Sequence, residues 1–374
     1  MKSVRRILMT TDPVGGVWTY SLELARHLRE RGYEIVLASM GGKVSGHQQK
    51  ELETLSNVRF YEEPYRLEWM DDPWDDVDAA GEWLLELAAT TKPDCVHLNG
   101  YVHASLPWSV PVVVAAHSCV CSWWRAVHGE SAPARYDTYR ERVQTGLLFA
   151  DRVVAPTRAM LEMLRDFWKI DDGKASVVWN GRSLPEPHAS AKEATIFSAG
   201  RVWDAAKNIP LLNRVAAGLD VEIAVAGETC APDGPDGPDG PDGLAAELEN
   251  LRLLGPVGEV EMRERLASSM IYASPARYEP FGLSVLEAAL SGCALVLSDL
   301  PGFRELWGDA ALYVPHDNLS GWREAFSRLL NDGGYCAELG ARARSRAQRY
   351  APGRMADGYD DLYTAALARA SLSS

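Results

Sequence analysis

No run of eighteen or more apolar residues occurs in this sequence, and no charged–apolar–small segment opens it. Neither a membrane-spanning helix nor a secretory leader is therefore expected, and the expected location is cytoplasmic. The stretch Met1 to Met9 is apolar over too short a length for either, and it reads as a first strand. Cysteine is sparse. The six residues Cys95, Cys119, Cys121, Cys230, Cys293 and Cys336 are scattered through mostly apolar contexts, which suits buried thiols and not a disulfide framework. Cys119-Val120-Cys121 follows His117 closely, but no second ligand pair comes at a suitable spacing, so no structural metal is expected. Positive charge is in deficit, with 38 Lys+Arg against 52 Asp+Glu and a net charge of −14. That balance argues against nucleic acid as a partner and gives no indication of membrane association through a polybasic surface. A Gly-x-Gly-x-x-Gly fingerprint is missing, and no Asp-x-Asp stands at a strand end in a metal-binding setting. No cofactor and no metal are expected.

What is present is enough apolar content for two ordinary domains, 47% of 374 residues. Strand-like and helical segments alternate. In the first half, strands are expected at Val4–Met9, Glu34–Ser39, Cys95–Leu98, Val112–Ala116, Arg152–Ala155 and Ala175–Trp179, with a helix from Trp18 to Arg31 stopped by Gly32. The second half repeats the scheme from Ala194, through strands at Val221–Ala226, Leu251–Leu254, Met270–Ala273, Ala294–Leu297 and Ala311–Val314. Such alternation implies α/β domains with parallel sheets covered by helices. The expected division is 1–183 and 193–354, a Pro-containing linker at 184–192, and a final helix near 355–370 that returns to the first domain. Residues 232–243 are four Pro-Asp-Gly triplets, a turn-rich pattern expected as a flexible surface loop.

The densest local signal is Arg277-Tyr278-Glu279-Pro280-Phe281-Gly282-Leu283-Ser284-Val285-Leu286-Glu287. Two carboxylates flank a Pro-Phe-Gly turn, and the second lies inside an apolar helical pattern that ends at Gly292. The helix start after Gly282 offers unpaired N–H groups and partial positive charge, both suited to a phosphate. Glutamates beside such a site suit sugar hydroxyls, although an acidic first turn also simply complements the helix dipole. A second string, Gly200-Arg201-Val202-Trp203-Asp204-Ala205-Ala206-Lys207-Asn208, follows a strand and places two cations on one loop. They could clamp a diphosphate without metal, or be ordinary solvated charges.

Glu-Pro-Phe-Gly-Leu, with a glutamate eight positions after the first, resembles the signature of the retaining glycosyltransferases of family 4, and Gly-Arg followed by Lys-Asn is similar to the same family. The resemblance spans almost the whole chain and is most specific in the second half. It implies the GT-B architecture, two Rossmann-like domains facing across a cleft. It also implies Glu279 on the donor-sugar hydroxyls, Glu287 on the nucleotide ribose, and Arg201 and Lys207 on the diphosphate. Phe281, Gly282 and Leu283 complete the implied donor-binding turn. Gly16 of the Gly15-Gly16 pair is placed near the donor phosphates, and His117 beside the donor sugar. Ser118 stands where the family often has aspartate, and Arg182-Ser183 replaces the usual continuation of Asn180-Gly181. Asp12 is a candidate acceptor contact or a helix cap. Trp123-Trp124-Arg125 is either an acceptor surface or part of the core.

The function implied is a retaining, metal-independent glycosyltransferase moving a sugar, as a hexosyl group, from a nucleotide-diphosphate donor to an acceptor hydroxyl. The acceptor could be a sugar, a metabolite or a lipid-linked glycan. Alternatives are a sugar-nucleotide epimerase or hydrolase of the same architecture, or an inactive nucleotide-sugar-binding protein.

Overall fold

A computed structural model describes residues 6–184, 191–230 and 248–373. The Pro-Asp-Gly triplets of 232–243 and most of the expected linker lie outside the described residues. The chain divides into two compact units. One takes in the chain to Arg125, Gly129–Gly181 and the segment from Pro352; the other holds Ala126–His128 and Arg182–Ala351.

The first unit is built on strands β1 (Arg6–Thr11), β2 (Glu34–Ser39), β3 (Val58–Glu62), β4 (Cys95–Leu98), β5 (Val112–Ala115), β6 (Arg152–Ala155) and β7 (Ala175–Val177). They pair in parallel throughout, in the order β3-β2-β1-β4-β5-β6-β7. β4, β5 and β6 are buried along their whole length, as a parallel strand covered on both faces must be. The helix Pro352–Ser373 closes this unit against the helix Gly16–Arg29, where Tyr359 meets Tyr20 edge-on at 6.0 Å and Arg31 donates to the Gly353 carbonyl at 3.0 Å.

The second unit carries β8 (Glu193–Ala199), β9 (Ile223–Ala226), β10 (Arg252–Gly255), β11 (Ser269–Ser274), β12 (Ala294–Ser298) and β13 (Leu312–Val314), also parallel, in the order β10-β9-β8-β11-β12-β13. Alternation along these strands splits the core between the two faces. Ile196, Val225, Ile271 and Val296 join one cluster, and Phe197, Ala224, Tyr272 and Leu295 the other. The two units are therefore both α/β with doubly covered parallel sheets.

In each sheet the strand order reverses once, beside β1 and β4 in the first unit and beside β8 and β11 in the second. Loops leaving the carboxyl ends of those strands diverge, and the crevice between them is where open α/β sheets receive ligands.

Candidate active site

In the second unit, the loops after β8 and β11 are tied together. Arg277 N–H donates to the Ala206 carbonyl at 2.7 Å, and the Asn208 amide donates to the carbonyls of Pro275 at 3.0 Å and His316 at 2.9 Å. Asn208 holds a left-handed conformation (φ 54°), which asparagine tolerates better than most residues, and starts the helix Ile209–Ala216 from there. This lock brings Lys207 against Glu279, with Nζ 2.6 Å from Oε2, both side chains mostly buried. Arg201 donates to Asp204 at 2.7 Å, and its guanidinium lies 5.1 Å from the Trp203 ring centre. Asp204, 3% exposed, also accepts from Ala206 N–H at 3.0 Å, so one carboxylate shapes the loop and aims its arginine.

Gly282 adopts φ 88° and precedes the helix Leu283–Leu290, whose first turn carries no acidic residue. A hydroxyl of Ser284 and that of Tyr272 both reach the Ala199 carbonyl, at 3.5 and 3.3 Å, fixing this helix start beside the end of β8. Phe281 is 4% exposed and meets Tyr350 edge-on at 5.8 Å, so its ring belongs to the core. Leu283 packs on the same core cluster. Glu287 accepts from Arg182 Nε at 2.7 Å. The structure thus gathers Arg201, Lys207, Glu279, Gly282, Leu283 and Glu287 around two loops of one unit.

The remaining candidates lie in the first unit. Gly15, with φ 89°, turns the chain from β1 into the helix that begins at Gly16. Asp12 is buried and accepts from Val14 N–H at 2.9 Å, which closes its own loop. His117 follows β5, and its Nε2 is 2.8 Å from Asn99 Oδ1. The Asn99 amide is oriented without ambiguity, because its nitrogen donates to the Thr10 carbonyl at 2.6 Å. Its oxygen therefore faces two imidazoles, His117 and, at 3.2 Å, His97 Nε2, and each must present an N–H to it. His97 Nδ1 is then free to accept from the Tyr363 hydroxyl at 2.6 Å. Burial lowers the pKa of His97 to about 3 and that of His117 to about 4, so both rings are neutral at pH 7. Tyr20 packs edge-on against His117 at 4.4 Å.

Trp123, Trp124 and Arg125 sit on the helix Val120–His128. Trp124 contacts Trp123 and Tyr136, with ring centres 6.0 and 5.6 Å apart, and Arg135 lies over it at 5.4 Å. Arg125 stacks on Phe167 at 4.4 Å and pairs with Asp166. Sequence reasoning passed over Asn99, Asp204 and Arg182. Asn99 and Asp204 carried a signal, a polar residue just beyond an apolar strand or inside the cationic loop. Arg182 stood only as a departure from a familiar turn.

Two α/β units, each a parallel sheet covered on both faces, have the architecture of the GT-B glycosyltransferases. Residues 14–184 match the model "Glycosyltransferase Family 4", and residues 193–332 match "Glycosyl transferases group 1". The chain belongs to glycosyltransferase family 4. It is 27% identical to a D-inositol 3-phosphate glycosyltransferase of Kineococcus radiotolerans, over 96% of this chain and 92% of that protein. Its fold matches sucrose-phosphate synthase from Thermosynechococcus elongatus with a TM-score of 0.81 at 18% identity, covering 98% of this chain and 100% of that one. Anabaena HepE, solved in complex with UDP-glucose, superposes with a TM-score of 0.73 at 15% identity, covering 96% and 99% of the two chains. Among the described residues no helix is long and apolar enough to cross a membrane, and no group of three or more His, Cys, Asp or Glu could hold a metal ion.

Proposed function

We propose that the chain transfers a sugar from a nucleoside diphosphate to an acceptor hydroxyl with retention of configuration and without a metal. The observation that best supports this reading is the Lys207–Glu279 contact at 2.6 Å, a cation suited to a diphosphate next to a carboxylate suited to sugar hydroxyls. Lys207, Arg201 and the helix start after Gly282 supply the positive charge that the departing diphosphate needs. Preorganised donors of this kind are each worth about 10²–10³-fold in rate. Glu279 orients the sugar through its hydroxyls, and Glu287 binds the ribose.

In the reaction the bond from the sugar C1 to the diphosphate oxygen breaks and its electron pair leaves with the diphosphate. The acceptor oxygen bonds C1 on the same face and passes its proton to a leaving phosphate oxygen. His117, neutral at pH 7, offers a sugar a hydrogen-bonding ring that carries no charge. Gly16, at the start of its helix in the first unit, offers a backbone N–H suited to a phosphate. For the acceptor, the relative named for D-inositol 3-phosphate makes a phosphorylated cyclitol the first candidate. Asp12, Trp123, Trp124 and Arg125 remain the residues proposed to meet it.

The test is a thermal-shift and turnover screen over UDP-, GDP- and ADP-sugars, with and without inositol phosphates. Acceptor-dependent release of nucleoside diphosphate, giving a product with the donor's anomeric configuration in the presence of EDTA, is the expected result. Sugar release or epimerisation independent of any acceptor would replace transfer as the reading. Stabilisation by a donor with no turnover would point to a binding protein.

A further inference from the structure

Arg182 is the residue at which the Asn180-Gly181 turn departs from the family pattern, and the structure gives it definite partners. Its Nε donates to Glu287 Oε1 at 2.7 Å, and its Nη2 lies 3.7 Å from Glu259 Oε1. The side chains of Arg182 and Glu287 are each 12% exposed. Its backbone is fixed as well, since Arg182 N–H donates to the Tyr350 carbonyl at 3.3 Å. Glu287 belongs to the helix Leu283–Leu290, whereas Glu259 opens the helix Glu259–Ser268 just beyond β10. One guanidinium therefore spans two carboxylates that belong to different helices.

We propose that Arg182 sets the ribose specificity of the donor site by fixing the carboxylate of Glu287. This rests on the reading of Glu287 as the ribose ligand. A carboxylate this far from water needs a partner, and without one it repels its neighbour Glu259. The rigid guanidinium plane lets Nε hold Glu287 Oε1 while Nη2 faces Glu259, so the direction of the bond to Glu287 is fixed in a way an ammonium does not allow. With Glu287 held, hydrogen bonds to ribose hydroxyls form without first ordering a flexible side chain. With Arg182 absent, the carboxylate loses the charged donor at Oε1 that directs it, and the advantage of a 2′-hydroxyl falls. Arg182 is a positioning residue: it acts through Glu287.

The experiment compares calorimetric binding of UDP, GDP and ADP, each beside its 2′-deoxy counterpart, by the 374-residue chain. The nucleotide that the wild type binds best supplies the reference pair. The wild type is expected to favour the ribonucleotide by about tenfold, the scale of one hydrogen bond to a charged group. Arg182→Met and Glu287→Gln are each expected to bring that ratio to within about twofold of unity, and the double variant to lower it no further. Arg182→Lys is expected to fall between Met and wild type. A merely structural arginine would lower the melting temperature and leave the ratio alone. A wild-type ratio in folded Arg182→Met, with the ratio lost in Glu287→Gln, overturns the role of Arg182 only. A wild-type ratio in Glu287→Gln overturns the ribose reading and this proposal with it, and leaves Lys207 and Glu279 untouched. If Arg182→Met does not fold, an unchanged ratio in Arg182→Lys overturns the proposal.

Discussion

Lys207 Nζ and Glu279 Oε2 are 2.6 Å apart, joining the loop after β8 to the loop after β11 as one ion pair. The two side chains are only 23% and 13% exposed, so each shields the other from an uncompensated charge. A donor that places phosphate at Lys207 and sugar at Glu279 enlarges this network and need not dismantle it. Removing either member leaves the other misplaced.

Lys207→Ala and Glu279→Ala are accordingly each expected to lower turnover by about 10²–10³-fold. The double variant should be much less impaired than the product of the two, because residues in direct contact do not act additively. Initial rates, with circular dichroism to establish folding, give the measurement. Undiminished transfer by either folded single variant would remove the pair from the site.

Gly227 follows β9 with φ 148°, and a Cβ there would lie 1.9 Å from the Gly200 carbonyl oxygen. That oxygen belongs to the residue just before Arg201, so Gly227→Ala must displace the cationic loop. We expect loss of nucleotide binding together with a lowered melting temperature, read by calorimetry and thermal unfolding. Gly42 is the natural control: its φ is also positive, at 128°, but nothing lies within 4 Å of its Cβ position. Gly42→Ala should cost some stability through backbone strain and leave nucleotide binding intact.

Much of this architecture was legible because parallel strands buried on both faces are short apolar runs. Val112–Ala115, Ile223–Ala226 and Ala294–Ser298 all announce themselves in that way. β3 did not: Val58–Glu62 is an edge strand, only partly buried, with Arg59 and Glu62 exposed, and carries neither a clean alternation nor an apolar run. The helix Gly46–Glu53 was equally silent to hydrophobic periodicity, since only Leu52 is buried; its signal was the Ser45–Gln48 capping box. At the candidate site, the resemblance of two motifs to family 4, and not their spacing alone, grouped Arg201, Lys207, Glu279 and Glu287. It could not supply the Asn99 relay to His97 and His117, because side-chain contacts across neighbouring strands have no fixed sequence spacing.

The two histidines make stability depend on pH with a definite sign. In the unfolded chain they take up protons near pH 6.5, whereas in the fold His97 does so only near 3 and His117 near 4. The unfolded state therefore binds more protons below 6.5, so their contribution is complete above that pH and is lost as pH falls toward 4 and 3. Glu68 acts in the opposite sense. Burial raises its pKa to about 7, so its contribution is present at low pH and is lost as pH rises through 7. His97→Gln separates the effects. It should flatten urea-unfolding stability between pH 6.5 and 4 relative to wild type, by an amount scaling at about 1.4 kcal/mol per pKa unit removed. An unchanged slope would mean that His97 is not held neutral by burial.

Asp204 offers a test of how Arg201 is aimed. Its Oδ2 accepts from Arg201 Nη2 at 2.7 Å while its Oδ1 accepts from Ala206 N–H at 3.0 Å, and the side chain is buried. Asp204→Asn keeps an oxygen for the Ala206 N–H, so the loop retains its turn, but it replaces the charged acceptor with an amide that presents N–H groups toward the guanidinium. Arg201 then loses its anchor and must be ordered by the ligand itself. The expected consequence is a donor KM raised roughly fivefold to tenfold, in line with the loss of one charge-assisted hydrogen bond. Arg201→Lys should be worse than Asp204→Asn, because lysine cannot grip Asp204 and a phosphate through one planar fork. If Asp204→Asn matches wild type in KM while remaining folded, Arg201 is aimed by the Trp203 ring beneath it, and Trp203→Leu becomes the variant that weakens donor binding.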